Sequence, residues 1–333
     1  MIFMNIERPG MYSMFQDLGR CGHQGIGVSV NGPMDEWSHR LANALVGNPK
    51  DAAVLECTLS GPRASFSEDV VFALCGASMN ASVNGLMVPQ NCAVYLRRGA
   101  LLDVGDRISG ARVYLAVRGG GLASPAVLGS RSTNSRAGFG GFNGRALRKD
   151  DRVPFFAPGK DDFTLRIEKY GLQSGLTLVA GPQLPSTPPY APGDLVRFVA
   201  GPHWAAFTEA ARSTFTSEPY KVSPQSDRMG SRLSGTLLRL TRPLELISEA
   251  TVFGTVQVPP DGSPIVLMAD RQSAGGYPKI GYVLSADLPK VAQLLPGESL
   301  RFQEASQVEA ERSWRTFKTR LSEVCEAAAA SLT

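Results

Sequence analysis

Asp270, Arg271, Gln272, Tyr277 and Lys279 place a carboxylate, a guanidinium, a carboxamide, a phenol and an ammonium within ten residues, around the adjacent pair Gly275-Gly276. Neighbouring glycines let backbone amides approach a bound group closely. The side chains beside them offer both signs of charge, and a strand leading into a polar surface turn is the alternative reading. Upstream, Thr255-Val256-Gln257-Val258 and Ile265-Val266-Leu267-Met268 predict two buried strands joined by the turn Pro259-Pro260-Asp261-Gly262. Proline presets the first turn dihedral there and glycine accepts positive φ. The second strand runs directly into residues 270–279, so a hairpin is the expected frame for the polar segment.

Two further stretches carry similar chemistry. The glycine-rich segment 129–144 holds Arg131, Ser132, Thr133 and Arg136. Guanidinium groups beside hydroxyls and free amides suit a phosphate or carboxylate, because guanidinium binds such anions bidentately and keeps its charge. The polar run Ser223-Pro224-Gln225-Ser226-Asp227-Arg228-Met229-Gly230 repeats the Asp-Arg pair of Asp270-Arg271. Neither G-x-x-x-x-G-K-[ST] nor G-x-G-x-x-G occurs, so any nucleotide would be held by other means.

Glycine at 10 and then every two to five residues from 19 to 32 predicts a looping segment over 9–32 carrying Asp17, Arg20 and His23. Asp17 and Arg20 read either as site residues or as a turn-stabilising contact. His23 reads either as a proton shuttle or as an exposed loop residue. Glu56, inside the apolar run VLECTL, either faces solvent or lines a site, and the solvated reading is preferred.

The elements that must position these residues are mostly short strands. Apolar or alternating runs fall at 53–59, 64–66, 70–74, 81–83, 93–96, 101–104 and 112–117, at the spacing of a barrel or sandwich, and Asn84-Gly85 marks a hairpin turn. Met34, Trp37, Leu41 and Leu45 form one stripe of a helix over 33–46. His39 points off that stripe and is read as structural. A Pro-rich passage, 181–192, reads as an extended linker, followed by a strand at 195–199 and a short helix at 204–211. Beyond Phe302, helical spacing of Val308, Trp314, Phe317, Leu321 and Val324 predicts a tail packed on the body or on a partner.

A chain of 333 residues, 43% hydrophobic, is long enough for two packed domains, and its 35 Gly and 23 Pro favour strands and turns over long helices. The net charge of +4, with no basic run longer than a pair, gives no ground for nucleic-acid binding. Five scattered cysteines without a CxxC indicate reduced thiols. The start MIFMNIERPG lacks a secretory pattern and no 18-residue apolar stretch occurs, so a cytoplasmic protein without membrane contact is expected.

The string QVPPDGSPIVLMADRQSAGGYPKIGYVLSADL resembles the signature of the allophanate hydrolase subunit 2 family, which includes KipA and PxpC proteins and the matching carboxyltransferase region of urea carboxylase. The resemblance recurs in FQDLGRCGHQGIGVSVNGPMDEWSHRLANALVGN (15–48), LECTLSGP (55–62), VLGSRSTNSRAGFGGFNGRAL (127–147) and SPQSDRMGSRL (223–233). Ser273-Ala274 stands where the family usually carries two threonines, which puts a hydroxyl role at 274 in doubt, and Asn134 stands where Tyr is common.

The resemblance implies a mainly β protein of two cyclophilin-like β-barrel domains with a few short helices. The expected division is 1–180, a linker at 181–194, 195–303 and a helical tail at 304–333. It further implies the PxpC-type component of an ATP-dependent 5-oxoprolinase, an amide hydrolase opening 5-oxo-L-proline to L-glutamate beside a PxpB/KipI-like and a PxpA-like subunit. On that reading Asp270, Arg271, Lys279, Asp227 and Glu249 are catalytic candidates, the cations for phosphates and the carboxylates as base or Mg²⁺ ligands. Arg131, Ser132, Gln257, Gln272, Tyr277, Arg228, Asp17 and Arg20 are the binding candidates, and ATP with Mg²⁺ is held here or by a partner. A biotin-dependent carboxyltransferase component acting on urea or a similar amide, and a non-catalytic KipA-type antagonist of a KipI-like kinase inhibitor, remain the alternatives.

Overall fold

The computed structural model describes residues 1–159, 162, 163, 165, 169, 178–180 and 195–331. The Pro-rich passage 181–194 lies outside the described residues. The chain is mainly β, as expected, and groups into two compact units that exchange segments: Met1–Arg20, Asp35–Thr187 and Arg320–Thr333 form one, Cys21–Met34 and Pro188–Thr319 the other. A division strictly along the chain would put 21–34 in the first unit, whereas its contacts place it in the second.

In the first unit, one six-stranded sheet orders Arg152–Phe155, Ile2–Arg8, Arg63–Phe66, Leu101–Asp103, Ser82–Val83 and Leu86–Met87. The other orders Leu178–Ala180, Val94–Leu96, Val70–Met79, Arg107–Val117, Val54–Thr58 and Tyr12–Gln16. Ile2, Met4 and Ile6, spaced by two, turn one face of the first sheet into a core shared with Phe15, Leu55, Phe72, Leu74 and Leu115 of the second. The opposite face of the second sheet is also covered. Val54, Ala73, Tyr95, Tyr114 and Ala116 pack there against Leu41, Ala42 and Leu45 of the helix Glu36–Leu45, and against Ala328. Burial on both faces explains why Val70–Met79 reads as a nearly unbroken apolar run.

Asn84-Gly85 makes the expected two-residue hairpin turn. Val83 faces Leu86 across it, and both turn residues have positive φ, 49° and 84°.

The second unit holds one eight-stranded sheet, ordered Ser299–Leu300, Tyr220–Val222, Gly230–Ser234, Ile265–Leu267, Thr255–Gln257, Lys279–Val283, Val196–Ala200, Phe302–Glu304. Its first and last members are consecutive in the chain, separated only by Arg301. A single residue spans under about 4 Å, so the two ends of the sheet meet and the sheet closes into a barrel. Phe198, Phe215 and Phe302 fill it, Phe215 stacking on Phe302 at 4.3 Å between ring centroids. The predicted hairpin is present, with Val256 opposite Val266 and Gln257 opposite Ile265, and Gly262 turns the connection at φ 88°.

Several expectations are corrected. Tyr12–Gln16, inside the glycine-rich stretch expected to loop, is a strand, because it pairs in register with Val54–Thr58. The helix starts at Glu36 behind Asp35, whose carboxylate accepts from Ser38 N at 3.0 Å. The helix expected over 204–211 splits into a single tight turn, Trp204–Ala206, and a helix Glu209–Ser217 capped by Thr208. Within the tail helix Gln307–Ala330, Phe317 and Leu321 are buried but Val308 is exposed. No described helix is long and apolar enough to cross a membrane.

Glu56 is buried rather than solvated, accepting the Tyr114 hydroxyl at 2.8 Å, which in turn accepts from Asp35 N at 2.8 Å. Burial, with the Glu56 charge beside it, pushes the Tyr114 phenol well above its ordinary range. His39, read as structural, is fully buried, with Nε2 3.1 Å from the Gln16 carbonyl.

Burial lowers the pKa of His39 below its ordinary 6.5, so the folded state keeps the ring neutral where the unfolded state takes up a proton. Stability therefore rises with pH across the window from the lowered value up to 6.5, and falls by up to about 1.4 kcal/mol per pH unit on acidification through it. The pH dependence of stability from denaturant titrations of wild type and His39→Gln at pH 5 to 7.5 is expected to differ in slope by up to one proton below pH 6.5. Parallel curves would refute this assignment.

Candidate functional site

In the first unit, the loop 130–133 is built onto Asp17. The carboxylate accepts from Ser130 Oγ (2.6 Å), Ser132 Oγ (2.7 Å), Gly19 N (2.8 Å) and Arg131 N (2.5 Å). Asp17 N donates back to Ser132 Oγ at 3.0 Å. Arg20, 1% exposed, donates to the Ser132 carbonyl and lies over the Phe139 ring at 4.9 Å. Gly140 is required where this loop folds back. Its φ is +72°, and a Cβ there would meet the Ser132 carbonyl oxygen at 2.2 Å. Asp17, Arg20 and Ser132 thus fasten the loop. Arg131 is held by its backbone and by Nε donating to Ser124 O at 2.7 Å, with its guanidinium 5.4 Å from the Phe156 ring. It is the member of this group best placed to meet an anion.

In the second unit, Arg228 and Asp270 join as a fork. Nε donates to Oδ2 at 2.9 Å and Nη2 to Oδ1 at 3.0 Å, with Arg228 only 5% exposed. Asn31 Nδ2 donates to Asp270 Oδ1 at 2.7 Å, Arg228 Nη2 to the Gly32 carbonyl at 2.6 Å, and Ser29 Oγ to the Arg271 carbonyl at 2.8 Å. Residues 29–32 therefore brace the Asp270 segment. None of the three stands out in the sequence by its chemistry, and only the long match over 15–48 marks that stretch. Asp227 folds its own turn, Oδ1 accepting from Met229 N at 2.8 Å and Gly230 N at 3.1 Å.

The residues after Asp270 are less fully occupied. Arg271 is half-buried, 5.7 Å from the Phe253 ring, and its Nε is buried without an acceptor among the described residues. Burial lowers its pKa, partly offset by Cys21 and Asp270. Arginine still carries its charge at neutral pH. Lys279, 1% exposed, donates to Glu249 Oε2 at 2.6 Å, and its backbone N–H donates to His203 Nδ1 at 3.1 Å. The Glu249 side chain is half exposed, and its bond to Lys279, then the Lys279 charge, hold its carboxyl below the usual range.

Gln257, directly opposite Lys279 in the sheet, is buried. Its Oε1 accepts from Gln272 Nε2 at 3.3 Å, while its own Nε2 is buried without an acceptor among the described residues. Tyr277 is exposed. The structure thus brings Gln257, Gln272, Lys279 and Glu249 together, beside a glycine pair, as a set of amide donors around one ion pair. Such a set can bind a carbonyl oxygen, a carboxylate or a phosphoryl group.

A mainly β chain with a closed barrel and donor-lined loops of this kind is a carboxyltransferase domain: the family described as carboxyltransferase domain, subdomain A and B, matches residues 26–304, and the chain belongs to it. Its relatives are more specific. It is 37% identical over 307 residues to the C-subunit of 5-oxoprolinase from Escherichia coli, covering 92% of this chain and 93% of that protein. It is 33% identical to the urea amidolyase of Saccharomyces cerevisiae over 90% of this chain and 16% of that one. Among solved structures, the Kluyveromyces lactis urea amidolyase superposes with a TM-score of 0.84 at 30% identity, covering 97% of this chain and 20% of that chain. The family read from the motifs is therefore confirmed.

Asp270→Asn keeps the shape of the fork but leaves the buried Arg228 without its counter-charge. Removing one partner of such a pair costs about 3 kcal/mol or more, so the urea midpoint is expected to fall clearly. An unchanged midpoint would show that the pair does not hold this loop.

Proposed function

We propose that the chain is the PxpC-type component of a cytoplasmic, ATP-dependent 5-oxoprolinase, opening 5-oxo-L-proline to L-glutamate together with PxpB/KipI-like and PxpA-like subunits. The observation that carries this reading is the match to the 5-oxoprolinase C-subunit over 93% of that protein's length, against 16% of the yeast urea amidolyase. A five-membered lactam is a resonance-stabilised amide with a poor leaving group. Bound ATP would supply a phosphoryl group to the carbonyl oxygen, which makes the carbon open to water. Addition of water, cleavage of the C–N bond and protonation of the nitrogen then give glutamate, with phosphate released.

The residues present fit such a group. Arg271 and Lys279 are the cations for developing negative charge, and Gln257 Nε2 is a buried donor without an acceptor among the described residues. Asp270 and Asp227 serve as positioning residues, since the first is committed to Arg228 and Asn31 and the second to its own turn. Among the described residues no cluster of three or more His, Cys, Asp or Glu is placed to hold a metal ion. On this reading Mg²⁺ arrives on the phosphates of the nucleotide.

The close superposition on urea amidolyase supports a second reading, biotin-dependent carboxyl transfer to an amide. One assay separates the two. With partner subunits added, ATP-dependent release of glutamate from 5-oxoproline is expected, and Arg271→Ala is expected to lower kcat/KM about 100-fold or more with the melting curve preserved. Wild-type turnover in that variant removes Arg271 from the site. Consumption of carboxybiotin without glutamate release overturns the 5-oxoprolinase reading.

A further inference from the structure

Four residues of the second unit close a ring of contacts. Glu249 pairs with Gly275 in a two-stranded ribbon, and a Cβ on Gly275 would lie 2.7 Å from Gln257 Nε2. Gln257 faces Lys279 across the barrel sheet, and Lys279 Nζ bonds Glu249 Oε2 at 2.6 Å. The two donors of the ring are almost fully buried, Lys279 at 1% and Gln257 at 2% exposed. Its one carboxylate is not. The Glu249 side chain is 50% exposed, and it hangs from a strand only two residues long, Glu249–Ala250. The preceding residues are mostly exposed, Ile247 at 90%.

We propose that Lys279 and Gln257 form a seat for the carboxylate of a small substrate, and that Glu249 occupies this seat until the substrate replaces it. A buried ammonium needs a counter-charge, because leaving it unpaired costs several kcal/mol. Exchanging one carboxylate for another keeps Lys279 paired throughout, and the incoming group brings a second oxygen for the unpartnered Gln257 N–H. Glu249 gives up only a contact made by a half-exposed side chain on an exposed strand, and regains water. A neutral amide offers nothing to replace the anion on Lys279, so the seat selects amides that carry a carboxylate. Named as 5-oxo-L-proline, that substrate rests on the function proposed above; the seat itself does not.

The test is equilibrium binding to the full chain assembled with its partner subunits and without ATP, using 5-oxo-L-proline, its decarboxylated analogue 2-pyrrolidone, and acetate. Wild type is expected to prefer 5-oxo-L-proline to 2-pyrrolidone about tenfold or more. Glu249→Ala, which leaves Lys279 without its counter-charge until a carboxylate binds, is expected to lower the melting temperature of the free protein and to tighten 5-oxo-L-proline and acetate about tenfold while 2-pyrrolidone is unmoved. Lys279→Met is expected to abolish the preference. Gly275→Ala, whose new methyl displaces the Gln257 carboxamide, is expected to weaken both carboxylates. Carboxylate affinity that is unchanged or weaker in Glu249→Ala overturns the seat. Tightening without ATP-dependent glutamate release keeps the seat and removes the 5-oxoprolinase reading; glutamate release without tightening does the reverse.

Discussion

The fork between Arg228 and Asp270 is the constraint on which the second unit's polar loops depend. It joins residues 42 apart in the chain, and through Asn31 and Gly32 it draws in a segment about 200 residues or more away. Two planar groups meeting by parallel hydrogen bonds fix orientation as well as distance. With Asp270 held at both oxygens, the backbone that follows is aimed, and Arg271, Gln272 and the glycine pair inherit their positions from it. The hairpin leading into it supplies the rest. Gln257 and Lys279 sit opposite one another because their strands are neighbours in the sheet, with an irregularity in register next to Gln257.

Charge is divided unevenly between the groups that hold and the groups left to bind. Asp17, Asp227 and Asp270 each accept from several backbone or side-chain donors, so their role is to shape loops. Two donors left without acceptors among the described residues, Arg271 Nε and Gln257 Nε2, belong to a cation or face one, Lys279, across the sheet. An environment of this kind stabilises negative charge on a ligand without having to reorganise, since the dipoles are already set by the fold.

Much of this is legible in the sequence, for local reasons. Asn84-Gly85 announces its hairpin because only such residues take positive φ at both positions cheaply, and the long match around residues 255–288 identifies the family. The failures share a different physics. Glu56 reads as solvated because its partner Tyr114 lies 58 residues away, on a strand that the chain folds beside it. The burial of His39 does not show in the stripe of its own helix, because the Gln16 strand covers the helix from another side. Tyr12–Gln16 is hidden by surrounding glycines, since a five-residue strand gains its stability from Val54–Thr58 rather than from its own composition. Asp270 stands out by chemical type, but its commitment to Arg228 and Asn31 is a tertiary fact that no spacing reveals.

The closure of the second unit's sheet around Arg301 bears on how that unit can be recognised. Residues 299–304 hydrogen-bond to Tyr220–Val222 on one side and to Val196–Ala200 on the other, so one passage of chain seals the barrel. Bonding at both ends leaves that sheet only short stretches of unpaired amides and carbonyls to template an incoming strand. Another protein meeting this barrel is then chosen chiefly by side chains, through their shape and charge, and less by main-chain complementarity.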